Sequence, residues 1–156
     1  MEQRREARRT VRRLLWRWGQ VNETCLRWTR DLEEKRRDLQ AVTDIKSPKL
    51  SGMPHGGGIS DRTAQAAEKL DALEKIFEET IEQATSAIEE ELRFQRAMDD
   101  AVSTLPSSQR WVLELRYKSE YSYERIARKT NYSSEYVKSL ESKACDKLAE
   151  KVDIKR

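Results

Sequence analysis

Three polar residues near the C-terminus have side chains suited to hydrogen bonding with DNA bases. A glutamate can accept from the exocyclic amino group of cytosine, and a serine can bond to either a base or a phosphate. Such side chains reach base edges when they lie near the start of a helix that enters the major groove. The predicted base-contacting residues are Ser134, Glu135 and Ser139.

Lysines and arginines lie close to these residues in the sequence. They can neutralise DNA phosphates, which adds affinity without adding sequence preference. The same residue types also occur on small helical domains whose charges are only solvated, and the pattern alone does not separate the two interpretations. The predicted phosphate-contacting residues are Lys138, Lys143, Arg125, Arg128 and Lys129.

Short helices must position these side chains. A break at STLPSSQ precedes them, and Pro106 fits the first turn of a new helix over residues 106–118. The next helix is predicted over residues 122–129, with Ser122 as its N-cap.

A turn and a final helix follow. Residues 130–132 form the predicted turn, in which Asn131 tolerates left-handed backbone. Ser133 is the predicted N-cap of the last helix, which extends to about residue 152. A helix, a three-residue turn and an N-capped helix form the helix-turn-helix arrangement. The predicted inner face of the last helix consists of Val137, Leu140, Ala144 and Leu148.

The stretch from Leu105 to Leu148 resembles region 4 of the sigma-70 family of bacterial transcription initiation factors. In that family this module reads the −35 promoter element and contacts the β-flap of RNA polymerase. The resemblance therefore implies double-stranded DNA and RNA polymerase as partners, with base contacts at the predicted residues and a phosphate contact at Lys138. The matching pieces are Leu105-Pro106, Val112 to Tyr117, Ser122 to Glu124, Ile126-Ala127, Ser133, Val137-Lys138 and Glu141 to Leu148.

This chain departs from the family pattern at three places. The usual turn glycine is Asn131, and an arginine and a glutamine that often contact bases are Ser134 and Ser139. These changes bear on the promoter sequence and the affinity, and little on the fold. The rest of the chain contains nothing similar to the −10-binding helices that melt promoters.

Two long amphipathic patterns precede the module, over residues 4–45 and 61–102. Their apolar residues recur at steps of three and four, which predicts one apolar stripe on each helix. Gly19 and Asn22 are expected to weaken the first helix. The stripe residues are Val11, Leu14, Trp18, Val21, Cys25, Trp28, Leu32, Leu39 and Val42, then Leu70, Leu73, Phe77, Ile81, Ala84, Ile88, Leu92, Gln95, Met98 and Val102.

The predicted fold class is all-α. A long antiparallel helical hairpin of coiled-coil type, residues 1–103, is followed by a small helix-turn-helix domain, residues 104–156. The alternative is that both stripes pair with another chain, which makes the arm a site of homo-oligomerisation.

The glycine-rich segment at residues 46–60 is the predicted tip of the hairpin. Pro48, Pro54 and the glycines end a helix there, and Ser60 is a candidate N-cap for the return helix. A phosphate-binding loop needs a preceding strand, and a helix is expected here instead. The motif SGMPHGGG, with Ser60 and Asp61, resembles a loop in uncharacterised sigma-like regulators of Gram-positive phages and mobile elements. That resemblance extends over the whole chain, and it leaves a docking role for Met53 and His55 open.

Charge is segregated along the chain. Residues 1–46 carry 13 Lys and Arg against 8 Asp and Glu, residues 62–103 carry 5 against 11, and residues 104–156 carry 12 against 8. Arginines at four-residue spacing between Arg4 and Arg17 form a stripe on the first helix. It either contacts nucleic acid or an acidic protein, or it is a solvated face that pairs with the acidic second helix.

Tryptophans on or near the first stripe can either stack on bases or pack in the core. Trp18 and Trp28 fall on the stripe and are expected in the core, whereas Trp16 lies off it. Trp111 is expected either to pack within the module or to contact the flap.

No enzyme activity, cofactor or metal is predicted. The two cysteines have no CxxC spacing and the single histidine has no partner nucleophile. No apolar run approaches the ~20 residues that span a bilayer, so no membrane contact is expected. The expected location is the cytoplasm of a bacterial host cell, associated with the nucleoid.

These patterns lead to one main hypothesis and two alternatives. The main hypothesis is a sequence-specific, DNA-binding transcription regulator of phage or mobile-element type. The first alternative is a DNA-packaging or assembly protein similar to a small terminase subunit. The second is a polymerase-binding co-regulator that does not bind DNA.

Overall fold

The structure is a computed structural model that describes residues 2–46 and 61–151. All the regular elements in those two ranges are helices, so the all-α prediction is confirmed. Most predicted helix bounds agree with the observed ones within two residues. The elements are α1 (Glu2–Lys46), α2 (Asp61–Ser103), α3 (Ser107–Leu113), a π-helical turn (Glu114–Lys118), α4 (Tyr123–Thr130) and α5 (Ser134–Lys151).

The chain forms two compact units, Cys25–Glu89 and Met1–Thr24 with Glu90–Arg156. Both α1 and α2 contribute to each unit. In the first of these units Lys46, at the end of α1, forms ion pairs with Asp71 and Glu74, near the start of α2. Earlier on α1, the Lys35 ammonium lies 5.8 Å from the centre of the Phe77 ring. Later residues of α1 thus meet earlier residues of α2, and the helices run antiparallel as predicted.

The other unit, which we call the head unit, has a core shared between the long helices and the C-terminal helices. The segment of α1 before residue 25 and the end of α2 pack against α3, the π-helical turn and α5. This burial of apolar surface is the main stabilising contribution to the unit. The core residues are Val11, Leu15, Trp18, Met98, Val102, Leu105, Leu113, Tyr117, Ala144, Cys145 and Leu148.

A second, smaller core joins α4 to the helices on either side of it. Tyr121 and Tyr123 pack at its edge, half-buried. It consists of Val112, Leu115, Ile126, Ala127, Val137 and Leu140. The predicted domain boundary between residues 103 and 104 stays a prediction.

Gly19 lies at a close approach between the backbones of α1 and the π-helical turn. A Cβ atom built on Gly19 would lie 2.0 Å from the carbonyl oxygen of Tyr117 and 2.6 Å from its carbonyl carbon. Every residue other than glycine carries that Cβ atom, so the close approach of the two backbones requires glycine at this position. The residue expected only to weaken α1 is therefore the one that lets α1 pack against the turn.

Three expectations about the long helices need correction or lie outside the described residues. Leu15, which the predicted stripe omits, is fully buried, and the predicted stripe residue Leu14 is half-buried and packs against the same core. Trp28 is 38 % exposed and does not belong to the core. The tip segment after Lys46, with Ser60, lies outside the described residues.

Candidate nucleic-acid interface

The α4–turn–α5 segment has the capping pattern expected from its sequence. The Ser122 hydroxyl accepts a hydrogen bond from the Arg125 amide at 3.2 Å, and the Ser133 hydroxyl accepts from the Tyr136 amide at 3.1 Å. Asn131 ends α4 with φ 57° and ψ 29°, the left-handed conformation. Asparagine adopts this conformation more readily than most non-glycine residues. The chain therefore makes the helix-turn-helix turn without the glycine usual in the sigma family.

α5 has one buried face and one exposed face. Val137, Leu140 and Ala144 point into the cores, and the side chains across the helix from them face solvent. Of the predicted base-contacting residues, Glu135 is exposed, while Ser134 and Ser139 are half-buried. The predicted phosphate-contacting residues are all exposed: Lys138 and Lys143 on α5, and Arg125, Arg128 and Lys129 on α4.

Two tyrosines lie under these cations. The Arg125 guanidinium carbon is 3.9 Å from the centre of the Tyr121 ring, and the Lys129 ammonium is 5.3 Å from the same ring. The Lys138 ammonium is 5.4 Å from the centre of the Tyr123 ring. Cations over aromatic faces are attracted by the ring quadrupole and stay exposed on their outer side. The tyrosines thus help to position cationic groups that remain open to solvent.

A buried carboxylate on the inner face of α5 links this helix to its neighbours. Glu141 is 1 % exposed and accepts hydrogen bonds from the hydroxyls of Tyr117 and, at 2.7 Å, Tyr123. The Arg12 guanidinium of α1 lies 3.4 Å from the same carboxylate. Burial, followed by the hydrogen bond to Glu141, raises the pKa of both tyrosines, so the two hydroxyls keep their protons. The orientation of α5 therefore depends on α1, on α4 and on the π-helical turn together.

A second ion pair joins α1 to α5. Arg8 donates from Nε and Nη2 to the two carboxylate oxygens of Asp146, both at 2.6 Å. This two-bond geometry is the strongest arrangement available to an arginine and a carboxylate. The hydrogen bonds raise the pKa of Arg8 and lower that of Asp146.

The arginine stripe on α1 thus has a divided role. Arg8 and Arg12 pair with α5, whereas Arg17 pairs with Glu91 of α2 at 2.7 Å. Only the last of these contacts is of the predicted kind, with the acidic second helix. For the Arg12 contact the sequence held half of the signal: Glu141 follows Val137 by four residues and so falls on the inner face of α5, but nothing there specifies Arg12 as its partner.

Sequence reasoning also missed an aromatic pair at the start of α5. Tyr132 and Tyr136 are 37 % and 46 % exposed, and their rings meet edge to face with centroids 5.1 Å apart. Trp111 of α3 is 43 % exposed and lines a shallow cleft with Tyr132 and Arg110. Of its two predicted roles, exposure leaves Trp111 available for contact with another molecule.

The described part of the chain contains no group of His, Cys, Asp or Glu residues placed to hold a metal ion. Within the same residues, no helix is both long and apolar enough to cross a membrane. Cys145 is buried in the core of the head unit, and burial raises its pKa to about 12. It is therefore a protonated core residue at neutral pH.

Comparison with known families supports the helix-turn-helix assignment. Residues 101–150, just under a third of the chain, match the family model for sigma-70, region 4. This is a DNA-binding regulatory module and not a family of enzymes. The match includes α3, the π-helical turn, α4 and nearly all of α5. No curated protein and no solved structure matches the chain.

Proposed function

We propose that this chain is a sequence-specific, DNA-binding transcription regulator that reads promoter DNA with the first turns of α5. The observation that carries the proposal is the capped α4–turn–α5 segment, which leaves Glu135 and Lys138 exposed on the face opposite the core. The family match to residues 101–150 supports the same conclusion independently.

Each predicted residue has a role in this proposal. Glu135 accepts from a cytosine amino group in the major groove, and Ser134 and Ser139 bond to neighbouring bases or to phosphates. Lys138 and Lys143 of α5 contact the phosphates on either side of the groove. The exposed cations of α4, which are Arg125, Arg128 and Lys129, contact the phosphate backbone that the first helix of such a motif crosses.

A contact with RNA polymerase extends the proposal. Region 4 of sigma factors contacts the β-flap, and Trp111 is an exposed aromatic residue on the first helix of the matching module. Exposed tryptophans are frequent anchors of protein interfaces. Under this proposal the protein acts at promoters in the cytoplasm of a bacterial host cell, bound to its DNA.

The setting in a phage or mobile element rests on sequence resemblance alone. Its motif, Ser51 to Asp61, lies almost wholly outside the described residues. Self-association through the arm, residues 1–103, is also part of the proposal. Light scattering on the full chain tests it, because a monomer or dimer fits regulation and an octamer or larger ring fits DNA packaging.

Selection from a pool of random duplexes, followed by fluorescence anisotropy, tests DNA reading. We expect enrichment of a defined sequence and a dissociation constant that rises steeply with salt. Glu135→Ala should relax the preference at one base pair by about 1–3 kcal/mol, whereas Lys138→Ala should weaken all duplexes alike. Glu78→Ala and Lys75→Ala, exposed changes of equal charge on α2, are the controls.

Two results would defeat the proposal. Binding of all duplexes with equal affinity would remove sequence reading from it. Polymerase capture by a chain that binds no DNA would favour the co-regulator instead.

A further inference from the structure

The first turns of α1 carry a basic face that the contacts described so far use only in part. Arg5, Arg9, Arg12, Arg13 and Trp16 fall within about a third of the helix circumference at 3.6 residues per turn. Arg5, Arg9 and Arg13 are exposed, and Trp16 is 39 % exposed. Three arginines at four-residue spacing thus form a continuous cationic row along the outside of the head unit.

This row lies beside the helix that carries the predicted base contacts. Arg12 pairs with Glu141 and Arg8 pairs with Asp146, so α1 crosses α5 between those two acidic residues. Lys138 precedes Glu141 on α5 by three residues, or about one turn. The basic face of α1 therefore adjoins the exposed cationic surface of α5.

Alternating rings and cations connect the two surfaces. The Arg116 guanidinium carbon lies 5.4 Å from the centre of the Trp16 ring and 4.7 Å from that of Tyr123. The Lys138 ammonium lies 5.4 Å from the same Tyr123 ring. Trp16 also meets Tyr117 edge to face, with ring centroids 5.2 Å apart. A row of rings and cations thus runs from Lys138 through Arg116 to Trp16 of α1, with the exposed Glu124 carboxylate within electrostatic range of Lys138 and Arg116.

We infer that the row Arg5, Arg9 and Arg13 is a second DNA contact, which binds phosphates of the duplex flanking the bases that α5 reads. This inference rests on the proposed function. The planar, positively charged guanidinium group donates paired hydrogen bonds whose geometry fits the negatively charged phosphate oxygens. Because phosphates are equivalent at all sequences, this contact adds affinity and salt dependence and leaves base preference unchanged.

The test is the salt dependence of binding by the full chain carrying Arg5→Gln, Arg9→Gln and Arg13→Gln together. Glutamine keeps helix propensity close to that of arginine, and circular dichroism checks that the fold is retained. The matched control carries Arg27→Gln, Arg30→Gln and Arg37→Gln, which removes the same charge from exposed positions of α1 in the other compact unit.

Anisotropy titrations over a sodium chloride series, on the selected duplex and on a scrambled duplex, give the result. Each lost phosphate contact reduces the magnitude of the slope of log K, the binding constant, against log salt by about 0.9. The slope of the triple variant should therefore be smaller in magnitude by about 2–3. The ratio of affinities for the two duplexes should stay the same. The control variant should keep the wild-type slope.

Lengthening the duplex provides an independent measurement. Wild-type affinity should rise as base pairs are added on one side of the selected site, and the triple variant should gain nothing. An unchanged slope and length dependence in the triple variant would overturn the inference and leave an acidic protein as the partner of the row. Failure of the wild-type chain to bind either duplex would instead defeat the proposed function itself.

Discussion

Replacing Gly19 by alanine should destabilise the protein, although helix propensity alone predicts the opposite. In an isolated helix this change gains up to about 1 kcal/mol, because glycine loses more conformational entropy on folding than alanine. In the head unit the new methyl group would lie 2.0 Å from the Tyr117 carbonyl oxygen. The substitution therefore has two opposite effects on stability: a gain in helix propensity and a steric clash of the new Cβ atom with the backbone of Tyr117.

The magnitude follows from what must move. Ordinary contact needs about 3.5 Å, so α1 and the π-helical turn must separate by more than roughly 1 Å. Both partners are main-chain atoms, so no side chain can rotate away, and overpacking of this kind costs about 1–3 kcal/mol. With the cost at the upper end of that range, the net loss is about 2 kcal/mol. For a chain of this size the midpoint of thermal unfolding should fall by about 4–8 °C.

Thermal unfolding followed by circular dichroism measures the effect, with Asn22→Ala as the matched control. Asn22 is exposed on the same helix, and its side chain makes only a 3.5 Å surface hydrogen bond with Gln95. Alanine there should leave the midpoint unchanged or raise it slightly. A Gly19→Ala protein as stable as the wild type would show that the close approach does not constrain position 19.

Three further predictions concern the head unit. Glu141→Gln should lower the free energy of unfolding by about 1–3 kcal/mol in urea titrations, since it weakens charged hydrogen bonds to two tyrosines and Arg12. The exposed control Glu78→Gln should leave the free energy of unfolding unchanged. Equal effects of the two substitutions would show that Glu141 does not anchor α5. Stability should decline above about pH 8.5, because the raised pKa of Cys145 keeps its proton bound in the folded state after the unfolded chain has released it. Cys145→Ala should reduce that slope by about 1.4 kcal/mol per pH unit between pH 9.5 and 11, and identical slopes in the two proteins would contradict the assignment. Because residue 131 has left-handed backbone, Asn131→Gly should match or exceed wild-type stability and Asn131→Ala should lose about 1 kcal/mol. An alanine variant more stable than the wild type would contradict the left-handed conformation at this position.

Local sequence rules predicted the parts of the fold that depend on neighbouring residues. The caps at Ser122 and Ser133 and the left-handed Asn131 each depend on the chemistry of a few adjacent positions. Helix bounds followed from apolar spacing in the same way. Such features have a sequence signature because the interacting atoms are close along the chain.

Contacts between distant segments had no such signature. Arg8 and Asp146 are 138 positions apart, and nothing in either local sequence specifies the other. Leu15 lies outside the predicted stripe and is fully buried because it belongs to a core shared with the C-terminal helices. At the candidate site, residue types predicted the exposed cations of α4 and α5. The exposed pair Tyr132 and Tyr136 is only four positions apart, but it was missed because Tyr132 lies in the turn before α5 and not on the helix.

The core of the head unit also sets an order of events during synthesis. Val11, Leu15 and Trp18 emerge from the ribosome long before Leu148, the last of their core partners. Contacts so far apart in sequence must await closure of a very long loop, which slows folding. The apolar stripe of the first 24 residues therefore stays exposed on the nascent chain until α5 has been made, and during that time it can bind chaperones or aggregate.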